Sequence, residues 1–179
     1  MRKVTLPVIA AAALALFNTD PRAEKSMNDS GSSADARYLW PVFPPDGWFH
    51  NLESGRKVGV QIMTPRPTDS DALIYVVASL KKKDLEVSIA ESHVNMRQSA
   101  PSTKITKMPE VARKNGQAAF QPYRYETPGA QQQPLEYVAF GEARYSDGKM
   151  FKLTVTLTGN DPRAIEKYRA LYWAFLAAH

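Results

Sequence analysis

The chain contains no cysteine. No disulfide braces it, and no thiolate can ligate zinc or act as a nucleophile. Histidine is almost as scarce. His50, His93 and His179 lie far apart and form neither an H-x-H nor an H-E-x-x-H pair, so the sequence offers no metal site. A G-x-S-x-G nucleophile elbow is missing, as is a glycine-rich loop opening a helix around a phosphate. Glu136 and Glu142 share one predicted strand, but six residues at about 3.3 Å each put them roughly 20 Å apart. That is too far for two carboxyls acting on one bond, which leaves only a pair assembled across strands. These gaps predict a protein that is not an enzyme and needs no cofactor.

Long apolar runs are also lacking. The longest, Val4 to Phe17, covers about 14 residues, short of the roughly 20 needed to cross a bilayer. It follows Arg2 and Lys3, and Ala13-Leu14-Ala15 supplies small residues of the kind a signal peptidase reads. The expectation is a signal peptide over residues 1–23, cut after Ala15 or near Ala23, with no membrane span left after cleavage. No cysteine follows the apolar core, which excludes a lipid-anchored leader. The predicted location is the bacterial periplasm, with secretion as the alternative. The formal charge is +5, and losing Arg2 and Lys3 leaves about +3. With so mild an excess in that compartment, nucleic acid is not an expected partner. Lys81-Lys82-Lys83 reads as a solvated turn.

What is present divides simply. Residues 24–36 are small and polar and predict a flexible tether, which leaves 37–179 as a single globular domain. Its first stretch, Arg37 to His50, is aromatic and proline-rich, with Asp46-Gly47 as a turn. Alternation predicts a strand from Arg56 to Met63, and the apolar run Ala72–Leu80 predicts a strand buried on both faces. Asp84 is placed to cap a helix to Gln98, with Leu85, Ile89 and Met96 along one side. Asn115-Gly116 predicts a two-residue hairpin, and Pro122 predicts that its second strand is an edge or is bulged. Leu135–Tyr145 and Met150–Gly159 predict an antiparallel pair joined by a tight turn at Ser146–Lys149. Asp161 and Pro162 open a final helix whose broad apolar face holds Ile165, Tyr168, Leu171, Tyr172, Phe175 and Leu176. The fold class is therefore α+β, an antiparallel sheet packed by helices.

The segment Phe43-Pro44-Pro45-Asp46-Gly47-Trp48 resembles the lead-in of PsbP-like proteins. Asp147 to Gly159 followed by an amphipathic helix is similar to the closing hairpin and helix of that family. PsbP is an extrinsic subunit of photosystem II, and the fold also includes a Ran-binding factor and bacterial envelope proteins. The resemblance covers roughly Tyr38 to His179 and rests on the order of elements. It implies an α/β/α sandwich and a non-catalytic binding or accessory role. No active-site residue and no photosystem role carry over.

The row Thr154, Thr156 and Thr158 reads as the solvent side of a strand, and with Lys152 and Arg144 as a candidate partner-binding face. Trp40, Trp48 and Phe49 are candidate aromatic contacts, since adjacent Trp48 and Phe49 face opposite ways in an extended chain. The leading expectation is an exported accessory protein that contacts another envelope protein. One alternative is a small-molecule carrier or small enzyme with a pocket between the terminal helix and the sheet. Another is an immunity or inhibitor protein against a periplasmic toxin.

Overall fold

The computed structural model describes residues 40–58, 60–65 and 70–179. The expected signal peptide, the tether and residues 37–39 lie outside the described residues, as do positions 59 and 66–69. Seven strands form one sheet: β1 (Trp48–His50), β2 (Gln61–Pro65), β3 (Leu73–Leu80), β4 (Lys104–Lys107), β5 (Gln121–Glu126), β6 (Leu135–Arg144) and β7 (Met150–Thr158). Their spatial order is β1-β2-β3-β7-β6-β5-β4, and every neighbouring pair is antiparallel. Among the described residues three helices accompany them: α1 (Leu52–Val58), α2 (Leu85–Ser99) and α3 (Pro162–Ala178). The α+β architecture expected from the patterning is the one present.

α3 starts where the sequence places it. The Asp161 carboxylate accepts the Arg163 N–H at 2.9 Å, and Pro162 fills the first turn. Ile165, Tyr172, Phe175 and Leu176 then dock on Ile74, Val76, Ala139, Leu153, Val155 and Leu157, one side chain in two from the three central strands. The buried Tyr172 hydroxyl donates to the Val155 carbonyl at 2.8 Å, so this interface is filled and its polar atom is satisfied. The alternative pocket between the terminal helix and the sheet would have to open among these packed side chains. Trp40 and Trp48 belong to the same core, and Trp48 meets Tyr168 edge-on with centroids 5.1 Å apart. Neither is the exposed contact that its place in the lead-in suggested, whereas Phe49 is half-buried on β1.

Three local expectations change. Residues 56–58 close α1 instead of opening a strand, and β2 begins only at Gln61. The Asn51 side chain accepts the Ser54 N–H at 3.1 Å, and Glu53 sits in the first turn, where the helix dipole favours an acid. Gly55 then allows a close return of the chain, since a Cβ there would lie 2.4 Å from the Val60 carbonyl oxygen.

Asn115-Gly116 is a turn, with Gly116 at φ +73°, but it tips a long connection and not a two-residue hairpin. A single bridge, Val111 to Phe120, links the two sides of that connection. Its shape is set by the end of α3. Arg113 donates to the carbonyls of Glu142 (2.8 Å), Ala118 (3.3 Å) and His179, while the Lys114 N–H reaches the Ala177 carbonyl at 2.8 Å.

Pro122 lies in an interior strand, between β4 and β6. It is tolerated because Met108, opposite it, donates to the Pro122 carbonyl at 3.0 Å, and the Gln121 side-chain amide donates to the Met108 carbonyl at 2.8 Å. That amide replaces the N–H that proline lacks.

Candidate functional site: a polar cavity beneath α2

The second face of the sheet is where the polar residues gather. On β7, Thr154, Thr156 and Thr158 point away from α3, yet they are only 4%, 0% and 1% exposed. The threonine row is therefore not the solvent side of the sheet, and it offers a protein partner no surface. The reason is α2, which lies over this face and packs Ile89, with Leu85 and Met96, on Tyr125, Val138 and Phe140. Alternation along β7 distinguishes two faces but does not tell which of them is covered.

α2 meets these polar groups with a polar stripe of its own. Ser88, Ser92, Asn95 and Ser99 recur at helical spacing, and Ser88 and Ser92 are among its buried residues. The gap between stripe and sheet is a cavity of about 30 Å³, close to the volume that one water occupies. The sheet side is contributed by Tyr75 on β3, Thr154 and Thr156 on β7, Glu136 and Val138 on β6, and Tyr125 on β5. The helix side is Ser92, Asn95, Met96 and Ser99. Ser99 is exposed, so the mouth opens at the C-terminal end of α2.

Strand register explains why these groups meet. Tyr75 pairs with Thr156, and Thr156 pairs with Val138 on its other side; Glu136 pairs with Tyr125. Four buried oxygens in this cluster lack a well-aligned hydrogen bond, Glu136 Oε1, Thr156 Oγ1, Thr158 Oγ1 and Tyr125 Oη, although Thr158 lies near Glu136, Thr156 near Tyr75 and Ser92 near Tyr125. Folded chains rarely leave such atoms orphaned, and a cluster of four beside a cavity points to something that enters it.

The electrostatics agree. Burial pushes the Glu136 carboxyl up to about 7, and the Thr158 hydroxyl nearby opposes the shift without forming a well-aligned bond. Burial also drives Tyr75 well above the usual phenol range, aided by Glu136, while Thr156 pulls the other way. Tyr125 rises likewise, by burial first and against the Ser92 hydroxyl. Both tyrosines are therefore neutral donors and acceptors at any physiological pH. His93, one residue past Ser92, is held below the usual imidazole range by burial and by Arg97. Its ring stacks edge-on against Tyr123 with centroids 4.5 Å apart.

The other candidate residues are placed elsewhere. Lys152 shares the threonine face, half-buried, and burial lowers its pKa, with Glu91 raising and Lys83 lowering it. Arg144 is exposed and closes the β6–β7 turn by donating to the Gly148 carbonyl at 3.1 Å. Glu142, far along β6 from Glu136, takes Lys81 at 2.8 Å. Lys83 pairs with Glu91 at 2.5 Å, so most of the lysine run is spent on nearby acids. Among the described residues no three His, Asp or Glu gather to hold a metal ion, and no helix is long and apolar enough to cross a membrane.

Tyr75, Tyr125, Ser92 and Glu136 form the heart of the site, and patterning alone had assigned three of them to packing or passed over them. Two signals were present. The Ser88-Ser92-Asn95-Ser99 stripe runs down one side of a helix that must bury a face. Glu136 is an acid in the middle of an otherwise apolar strand. No protein-family model matches the chain, and no curated protein matches it either.

Proposed function

We propose that the chain is an exported, non-catalytic binding module that takes a small polar ligand into the cavity beneath α2. The observation that carries this reading is the group of four buried oxygens without a well-aligned hydrogen bond beside a small cavity. The residues suit binding better than turnover. One carboxyl is present with no second titrating group at working distance along its strand, and both phenols are locked in the neutral form. The export part of the reading rests on Arg2, Lys3 and the apolar run after them. Kinship with PsbP-like envelope proteins is part of the same proposal. It is supported by the antiparallel sheet, the β6–β7 hairpin and the closing helix in the order the resemblance requires.

The test is a thermal-shift screen of small polar compounds on the wild-type chain and on Ser92→Phe, which plugs the cavity from the helix side. A compound that raises the wild-type Tm and leaves the plugged variant unmoved is the expected result. Equal shifts in both proteins would put the ligand elsewhere.

A further inference from the structure

Among the acids around α2 and at the ends of the sheet, several have found a cation. Glu142 has Lys81 at 2.8 Å, Glu91 has Lys83 at 2.5 Å, Glu126 has Arg124 at 2.7 Å, and Glu166 has Arg169 at 3.1 Å. Glu136 is the most deeply buried of them, at 4% exposure, and its Oε1 lacks a well-aligned hydrogen bond. No lysine, arginine or histidine lines its cavity. A cation is the partner that would stabilise the ionised form of this buried carboxyl.

Three further constraints narrow the cation. The space is small, about 30 Å³, room for at least one water and suited to a compact head group. The orphaned atoms are a carboxyl oxygen and three hydroxyl oxygens, all able to accept hydrogen bonds. An –NH₃⁺ group is water-sized, brings three donors and has no acceptor to leave unmet. Two tyrosine rings border the space, and Met96 and Val138 add apolar surface for the first methylenes of a tail. An anion would face the carboxyl of Glu136.

We infer that the cavity holds the head group of a primary alkylammonium ion. The ammonium sits on the Glu136 carboxylate and the hydroxyls of Thr156 and Tyr125, and the tail leaves past Met96 and Ser99. This rests on the ligand-cavity reading proposed above and names the ligand class for it.

Binding moves a proton in a balanced way. Where Glu136 is protonated, its carboxyl and the incoming ammonium become a carboxylate–ammonium pair and its proton passes to solvent, about half a proton per ammonium bound at pH 7. The groups facing Glu136 do not compete for it. Tyr75 on β3 and Tyr125 on β5 titrate far above neutrality, and β7 presents only threonines. From α2, Ser92 and Asn95 do not titrate, Arg97 adds a positive charge, and His93 is held below its usual range.

The experiment is isothermal titration of the full chain at pH 7 with butylammonium chloride, n-butanol, tetramethylammonium chloride and potassium chloride. Each is run in two buffers of different ionisation enthalpy, against wild type, Glu136→Gln and Thr156→Val. Butylammonium is expected to bind with a buffer-dependent heat that reports proton release. The other three solutes should bind at least tenfold more weakly. Glu136→Gln should lose at least tenfold in affinity together with the buffer dependence, and Thr156→Val should lose affinity while keeping the buffer dependence. If Glu136→Gln does not fold, the buffer dependence of the wild type decides the matter. Binding of n-butanol or potassium as tight as that of butylammonium, or a heat independent of buffer, overturns the ammonium assignment but leaves the cavity reading in place. No heat from any of the four overturns the ammonium assignment. A screen with no compound sensitive to Ser92→Phe removes the cavity reading as well.

Discussion

At Glu136 the folded chain holds a proton that the unfolded chain gives up. The carboxyl moves from its ordinary 4.5 to about 7 on folding. Between those values the native state binds more protons than the unfolded state, so stability is fully present below about 4.5 and is lost as pH rises toward 7. Glu136→Gln cannot ionise and should be more stable than wild type at pH 8 by about 1–3 kcal/mol, with the difference closing near pH 4.5. Urea unfolding of both proteins at the two pH values measures this, and an equal gap at both would contradict it. His93 acts with the opposite sign, because a lowered imidazole pKa contributes stability that is lost as pH falls. It is present in both proteins and cancels in their difference. A second residue test concerns packing. A Cβ on Gly141 would meet the Phe120 ring at 2.5 Å, so Gly141→Ala must displace a ring that is 1% exposed. A loss of about 1–3 kcal/mol is expected, read as a lowered urea midpoint with an unchanged slope.

Between elements, the connection from β4 to β5 is held most extensively by Arg113, with Asn115 also donating to the His179 carbonyl at 2.7 Å. Arg113 is 8% exposed, spans the carbonyls of Ala118, Glu142 and His179, and lies over the Phe120 ring at 4.6 Å. Burial lowers its pKa to about 10, which leaves it charged at neutral pH. Arg113→Ala should unlatch this connection from the end of α3 at a loss of about 2–3 kcal/mol. Amide exchange at Lys114, whose N–H reaches α3, should accelerate more than exchange within β6 and β7. Uniform acceleration would mean that the latch is not local.

The contrast between elements also shows what patterning can and cannot reveal. β6, β7 and α3 were legible because each announces itself within a few residues: strict alternation, Ser146–Lys149 as a turn, Asp161-Pro162 as a start. α1 was not, because seven residues carry too little periodicity to outweigh the alternation that follows at Val58–Met63. Pro122 misled because the Gln121 amide that excuses it acts through a tertiary contact with Met108. The cavity was half legible. Its residues could be named from the sequence, but their meeting depends on register, and the covered state of the threonine face depends on where α2 lands.

For the whole molecule, the two faces of the sheet have different tasks. The α3 face is apolar and satisfied, and it carries most of the core. The α2 face joins a smaller apolar cluster to a polar cavity, which is where the proposed binding site lies. α2 should therefore be the element that responds to a ligand while α3 stays fixed. The sheet ends quietly at both sides, in the three-residue β1 and in β4, which carries Lys104 and Lys107, and such edges discourage strand-to-strand association. Sedimentation should accordingly show no growth of large species as concentration rises.

The most direct test of the cavity is methyl NMR of the full chain, with Met96, Val138 and Thr156 labelled, titrated with butylammonium and with a panel of small neutral polar compounds. Saturable shifts confined to those three methyls, with the methyls of Leu157 and Leu176 beneath α3 unmoved, are the predicted result. Shifts that spread equally to the α3 side, or a cavity whose methyls respond to nothing, would contradict a ligand site beneath α2.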